Sequence, residues 1–195
     1  GDDMKIGIIG SGRVGYSMGK YMQDHGIRVT GFYDRHRERA LDAAQFTGTD
    51  SFDRIEDLVA ASDTLFLTTS DGEIANVWDC IRHLSIQGKI ICHFSGSLSS
   101  DQFQGIEKTR AYGLSIHPML AFSDKYTSYK QLQNAFFTIE GHAQALAVME
   151  PLLQKMGNPV QRIAPEQKAL YHAAAATLSN QVVALLASGY EMLEA

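Results

Sequence analysis

Cysteine is scarce: Cys80 and Cys92 are the only two in 195 residues, and neither sits in a C-x-x-C or Cys/His cluster. That excludes a disulfide framework and a zinc site readable from spacing, so no metal is expected and a cytoplasmic location is. No run of eighteen apolar residues occurs, which excludes an ordinary membrane-spanning helix, and the run at Lys5–Ile9 is too short and glycine-flanked for a signal peptide. Gly1 reads as a residue added for expression and Met4 as a native start. Positive charge is lacking as well. Lys and Arg number 17 against 22 Asp and Glu, a net −5 without any basic run, so neither nucleic acid nor an anionic membrane is an expected partner.

What is present is ordinary globular composition, 45 % apolar and 20 % charged, in a length that holds one full domain and part of another. Short β-rich apolar runs alternate with helical stretches, the pattern of an α/β, doubly wound, mostly parallel sheet covered on both faces. Strands are expected near Lys5–Ile9, Arg28–Tyr33, Thr64–Thr69, Lys89–His93, Ala111–Ile116, Phe136–Ile139 and Pro159–Ile163. Helices are expected over Arg13–Asp24, Arg37–Phe46, Asp53–Ala60, Glu73–Leu84, Ser99–Gly105 and Ala143–Met156, with Ser99 and Gln102 forming a capping box. Ser123–Asn134 shows no period and reads as a loop or short helix.

From Pro165 a single helix is expected to the end of the chain, with Leu170, Ala174, Leu178, Val182, Leu186 and Tyr190 on one stripe. At about 1.5 Å per residue it would be roughly 46 Å long, more than a small sheet domain covers. The expected division is therefore a Rossmann domain over 4–163 and, over 164–195, the first helix of an all-α domain continuing beyond this chain. A short chain that buries the stripe in a homodimer is the alternative.

Gly10-Ser11-Gly12-Arg13-Val14-Gly15 is a G-x-G-x-x-G placed directly after a strand and at a helix start. The first glycine permits the tight turn, the second lets a pyrophosphate approach the backbone, and the third lets helix and strand pack closely. Free N–H groups at the helix N-terminus then face the phosphates. Asp34 ends the second strand nineteen residues beyond Gly15, where a carboxylate accepts hydrogen bonds from the adenosine ribose. These features point to a dinucleotide, with S-adenosylmethionine the rival and a purely structural turn the plain reading. Asp34 leans towards NAD, whereas Arg35, His36, Arg37 and Arg39 could neutralise the 2′-phosphate of NADP or simply form a solvated helix face. Thr69, Ser70 and Asp71 follow the next strand and should reach the same carboxyl edge, as cofactor contacts, as helix caps, or as both.

Two histidines end strands on that edge. His93 opens His93-Phe94-Ser95-Gly96-Ser97, and His117 precedes Pro118, which holds it extended. Either could polarise a carbonyl or carry a proton. Ser95 and Ser97 could bind a substrate carboxylate or the nicotinamide ribose, and equally could need no function beyond their turn. On the long helix, His172 and Asn180 interrupt an apolar surface. They lie roughly 12 Å and about 80° apart, able to line one groove but not to hold one atom.

The glycine loop, Thr69-Ser70-Asp71, His93-Phe94-Ser95-Gly96-Ser97, Ile116-His117-Pro118-Met119, and Tyr171-His172-Ala173-Ala174 through Ser179-Asn180 resemble, in order, the Rossmann-like oxidoreductases that carry a helical DUF2520 domain. That family is similar to 6-phosphogluconate and β-hydroxyacid dehydrogenases, pyrroline-5-carboxylate reductase and the F420-dependent NADP oxidoreductases. The resemblance implies an NAD(P)-binding domain and a helical dimerisation domain that completes a site for a small-molecule substrate. His117-Pro118 also resembles a segment of prephenate dehydrogenases whose histidine contacts the substrate hydroxyl. Two departures stand out. Family members commonly have Ser-Arg at Asp34-Arg35, and the catalytic lysine that β-hydroxyacid dehydrogenases place four residues before an asparagine is Ala176 here, before Asn180. The expected activity is hydride transfer between nicotinamide and a small carbonyl, imine or hydroxy acid, with His117, Asn180, Ser95 and His172 as catalytic candidates. The alternative is an NAD(P)-binding redox-sensing or protein-docking module without turnover.

Overall fold

The computed structural model describes residues 3–174 and 177. Eight strands form one sheet: β1 (Lys5–Ile9), β2 (Arg28–Tyr33), β3 (Asp50–Ser51), β4 (Thr64–Leu67), β5 (Ile90–His93), β6 (Tyr112–Pro118), β7 (Phe137–Gly141) and β8 (Val160–Arg162). Their spatial order is β3-β2-β1-β4-β5-β6-β7-β8. Every neighbouring pair is parallel except β6 and β7. The order reverses direction between β1 and β4, which opens the crevice where ligands bind in doubly wound sheets.

Among the described residues six helices cover the faces, α1 (Arg13–Asp24), α2 (Arg37–Thr47), α3 (Ile55–Ala61), α4 (Ile74–Ile81), α5 (Ile106–Thr109) and α6 (Ala143–Lys155), and a further helix opens at 168. Two cores result, one on each face, and the strands alternate between them. Ile6 and Ile8, Phe66, Ile90 and Cys92, Leu114 and Ile116, and Phe137 and Ile139 enter the core that α1, α2 and α6 close. Ile9, Leu65, Leu67 and Ile91 enter the other, with Leu58, Val59, Ile74 and Trp78 from α3 and α4. Burial on both faces is why these strands read as continuous apolar runs rather than alternating ones.

Several expectations need correction. Ser99–Gly105 is not one helix: a 3-10 turn covers Ser100–Gln102 and α5 starts only at Ile106, because Gly105 takes φ +76° and breaks the path. Ser99 caps that turn through the Asp101 N–H rather than through a box with Gln102. The pair Asp50–Ser51 was unreadable as a strand, being two polar residues recruited by backbone pairing to β2. Residues Ser128–Asn134 form a 3-10 segment. It is tied down near Tyr126, whose hydroxyl, like that of Tyr16, donates to Asp42. Pro165 opens a 3-10 turn, Pro165–Gln167, before the helix proper begins at 168. The stripe from Leu178 onward lies outside the described residues.

Candidate active site

The glycine turn is built by close approach. Gly10 has φ +104°, and a Cβ there would lie 3.0 Å from the Thr69 amide nitrogen. A Cβ on Gly15 would lie 2.6 Å from the Gly10 carbonyl oxygen and 2.7 Å from Thr68 Oγ1. Thr68 in turn donates to the Gly10 carbonyl at 2.9 Å, so β4 buttresses the turn of β1. Gly12 differs: a Cβ there would meet nothing within 4 Å. The space over the second glycine is open, as a bound pyrophosphate requires.

Asp34 faces this turn. Its Oδ2 accepts from the Ser11 N–H at 2.9 Å and its Oδ1 from the His36 N–H at 2.7 Å. Thus the carboxylate is fixed between the glycine turn and the start of α2, while Arg35, His36, Arg37 and Arg39 are exposed. Arg37 pairs with Asp53 at 2.9 Å, and Arg13 reaches the Phe122 carbonyl at 3.4 Å. Val14 is half-buried against the first core. Two buried hydroxyls beside the turn, Ser11 Oγ and Thr69 Oγ1, have no hydrogen-bond partner among the described residues. Buried hydroxyls are ordinarily satisfied, so a polar ligand at this edge fits both. The residues present therefore suit a dinucleotide.

Asp71 was expected as a cofactor contact or cap. Ser70 precedes the 3-10 turn Asp71–Glu73 without any side-chain capping bond, and Asp71 Oδ2 instead accepts from Ser95 Oγ at 3.0 Å and Ser97 Oγ at 3.4 Å. The same Ser95 hydroxyl accepts from the N–H groups of Ser97 (3.2 Å) and Leu98 (2.9 Å). Its hydrogen-bonding capacity is spent inside the protein, so Ser95 shapes the turn rather than offering a free hydroxyl.

His93 likewise proves to be a staple. It is fully buried, its Nδ1 accepts from the Ser95 N–H at 3.2 Å, and its Nε2 faces the Ser99 carbonyl at 2.7 Å. Burial pushes its titration down to about 4, against the pull of the Ser99 carbonyl. A neutral imidazole with both nitrogens engaged has nothing left for substrate.

His117 is placed differently. In the β6–β7 register His117 pairs with Thr138 and Ser115 with Glu140. These residues alternate with Ile116 and Ile139 of the first core, so they share the opposite, polar face. Two nitrogens converge over Gly96: a Cβ on that glycine would lie 2.8 Å from His117 Nε2 and 2.7 Å from His172 Nδ1. The two ring centroids are 6.2 Å apart. Burial, then the charge of Lys168 and the proximity of His172, push His117 down to about 4, with Asp71 opposing. The two imidazoles thus close over Gly96, His117 half-buried and uncharged near neutrality, His172 exposed.

Sequence reasoning missed Lys168 and Glu140. Lys168 is 2 % exposed and donates to the Ser95 carbonyl at 2.7 Å. Glu140 is 1 % exposed and accepts from the Ser100 N–H at 2.7 Å and the Ser100 hydroxyl at 2.6 Å. Their signal was a lysine at a helix start and a glutamate within an apolar strand. Asn180 lies outside the described residues. No group of three or more metal-ligating side chains occurs among the described residues, and none of their helices is long and apolar enough to cross a membrane.

Comparison with known proteins agrees with this geometry. The model of the oxidoreductase family with an NAD-binding Rossmann fold matches residues 4–85, over the glycine turn, Asp34 and Thr69. That segment therefore has the NAD-binding Rossmann fold of oxidoreductases. The domain of unknown function DUF2520 matches residues 135–195. That match begins inside the sheet, ahead of β7. No curated protein matches the sequence.

Solved structures share the fold. A provisionally named NADP oxidoreductase from Bacteroides fragilis is 21 % identical with a TM-score of 0.81, over 98 % of this chain and 73 % of its own. An imine reductase from Pseudomonas sp. is 19 % identical with a TM-score of 0.74, over 95 % of this chain and 65 % of its own. A reductive aminase from Aspergillus terreus, solved with NADPH and ethyl-5-oxohexanoate, is 18 % identical with a TM-score of 0.67, over 95 % and 63 % respectively. The chain spans less than two thirds of the latter two.

Proposed function

We propose that the chain is the cofactor-binding part of an NAD(P)-dependent oxidoreductase acting on a small carbonyl, imine or hydroxy-acid substrate. The observation that carries this reading is the pair of unpartnered buried hydroxyls, Ser11 Oγ and Thr69 Oγ1, at the open glycine turn. When bound, the nicotinamide ring accepts or donates a hydride at C4.

The chain's own residues divide the remaining work. Gly10, Ser11, Gly12, Arg13, Val14 and Gly15 form the phosphate turn, and Thr69 with Ser70 lines the adjacent edge. Asp34, held in place by Ser11 and His36, takes the adenosine ribose and repels a 2′-phosphate, so NADH should bind more tightly than NADPH. Arg35, with His36 and Arg39, supplies the remaining basic neighbours for NADP. His117 Nε2 holds or accepts the substrate proton, with His172 beside it over Gly96 and Asn180 orienting the substrate. Ser95 contributes through its turn. A homodimer through the C-terminal helical region and a cytoplasmic location belong to this reading, the latter in keeping with two free cysteines.

The test is a parallel titration with NADH and NADPH, read by energy transfer from Trp78, the only tryptophan. Saturable binding, tighter for NADH, is expected. No binding of either by folded protein would overturn the reading. Where a substrate is found, His117→Ala should keep dinucleotide affinity and lose turnover by about 100-fold or more; unchanged turnover would remove His117 from the reaction. The redox-sensing or docking module without turnover drew support from the missing lysine at 176, and Lys168 weakens that argument by supplying a cation at the same edge.

A further inference from the structure

The roles above leave one buried cation unused. Lys168 comes from outside the sheet, at the first residue of the helix that opens at 168, yet its ammonium ends on the carbonyl of Ser95. Burying an ammonium is costly, and an apolar side chain would fill the same volume without that penalty. Here the charge is met on two sides: Glu140 and Asp71 favour it, while burial pulls the titration of Lys168 down to about 8.

The segment that Lys168 grips is held from every direction. His93 binds the Ser95 N–H and the Ser99 carbonyl, Asp71 binds the hydroxyls of Ser95 and Ser97, and Glu140 binds Ser100. At its apex sits Gly96, whose missing side chain lets His117 Nε2 and His172 Nδ1 close over the turn. Only Lys168 among these clamps belongs to the C-terminal helix that also carries His172. A shift of that helix would therefore move the turn and the His172 imidazole together.

We propose that Lys168 is a positioning residue: its ammonium ties the Ser95–Ser97 turn, beneath the two imidazoles, to the helix that carries His172, and sets a positive charge at the edge where His117 lies. The proposal rests on the reading of His117 as the proton-handling group. A cation nearby disfavours a second positive charge on the imidazole. The charged and titratable groups that act on His117 are Lys168 and His172, which disfavour its protonation, and Asp71, which favours it. Those acting on Lys168 are Glu140 and Asp71. Lys168 also acts on His93 in the same sense as on His117. The outcome is a site in which a positive charge on His117 is disfavoured.

Imidazole NMR titration of the free protein from about pH 3 to about pH 9 tests this without substrate or dinucleotide. In wild type the His117 signals should move chiefly near pH 4 and show a second, smaller inflection near pH 8, as Lys168 releases its proton. Lys168→Met should raise the His117 titration by about one pH unit or more, whereas Lys168→Arg should keep it low. A merely space-filling lysine would give no such split between the two variants. A folded Lys168→Met protein with unchanged His117 titration would overturn the proposal. Should that variant fail to fold, absence of the inflection near pH 8 in wild type would overturn it equally. Failure of wild type to bind NADH would instead sink the assigned function, while the titration still decides the role of Lys168.

Discussion

Gly12 and Gly15 stand three residues apart in one motif, yet the structure gives them opposite sensitivities to the same added methyl group. At Gly12 a Cβ meets nothing within 4 Å, and φ −92° with ψ −169° suits alanine. Gly12→Ala gains roughly 0.4–1 kcal/mol from a less flexible unfolded chain. Alanine is a poorer N-cap than glycine by a similar amount, about 0.5–1 kcal/mol, so the two offset. The melting temperature should stay within about 3 °C of wild type. Binding should not survive, because the Cβ projects into the open space that the pyrophosphate needs. Loss of two charge-assisted hydrogen bonds at about 1.5–3 kcal/mol each predicts at least about 100-fold weaker NADH binding.

At Gly15 the methyl group would press on two atoms that cannot easily retreat. Gly10 is anchored by its N–H to the Tyr33 carbonyl at 2.9 Å, and Thr68 Oγ1 by its bond to Gly10. Overpacking of this kind costs about 1–3 kcal/mol, and at roughly 2–4 °C per kcal/mol the melting temperature should fall by about 2–12 °C. Thermal melts followed by circular dichroism, paired with NADH titration through Trp78, read both effects. Trp78 is 1 % exposed and pinned to the Gln104 carbonyl at 2.9 Å, so its emission reports on an intact fold. Wild-type NADH affinity in a Gly12→Ala protein of wild-type stability would refute the phosphate cradle. A Gly15→Ala protein that melts like wild type would show that the turn is less tightly packed than described.

Other expectations follow from the same geometry. Asp34→Ala should raise affinity for NADPH relative to NADH by about tenfold, one like-charge repulsion removed, and an unchanged ratio in paired titrations would take the choice away from this carboxylate. Folded His93 titrates near 4 against 6.5 unfolded, so the unfolded chain binds more protons between those values. The stability that His93 adds as a neutral staple is complete above pH 6.5 and lost as pH falls towards 4, a difference of about 3 kcal/mol. Urea denaturation at neutral pH and near pH 4 should show that loss in wild type and a smaller one in His93→Gln. Equal losses in both would mean that another group controls the acid limb.

Local pattern alone was enough for much of the fold. Continuous apolar runs between glycines mark strands buried on both faces, and β1, β2, β4, β5 and β6 fall where such runs lie. The glycine turn and Asp34 were legible because a strand, a tight turn and a helix start impose residue types within a few positions of one another. β3 was not legible, because Asp50 and Ser51 have no strand propensity and pair only since Phe32 and Gly31 stand beside them. Nor did Ser99–Gly105 show its break, as Gly105 can sit in a helix or end one and its surroundings decide.

The site divides along the same line. Sequence by itself determined that a dinucleotide turn exists and that histidines end two strands, since both are properties of short segments. Tertiary structure decided which histidine is free. His93 and His117 look alike in sequence, but the Ser95–Ser99 turn folds back to consume both nitrogens of one, while the other lies over Gly96 beside His172. It also decided that Lys168, 73 residues from Ser95, enters the site. Contacts between distant segments depend on how strands stack and helices return, and no periodicity in the chain records them.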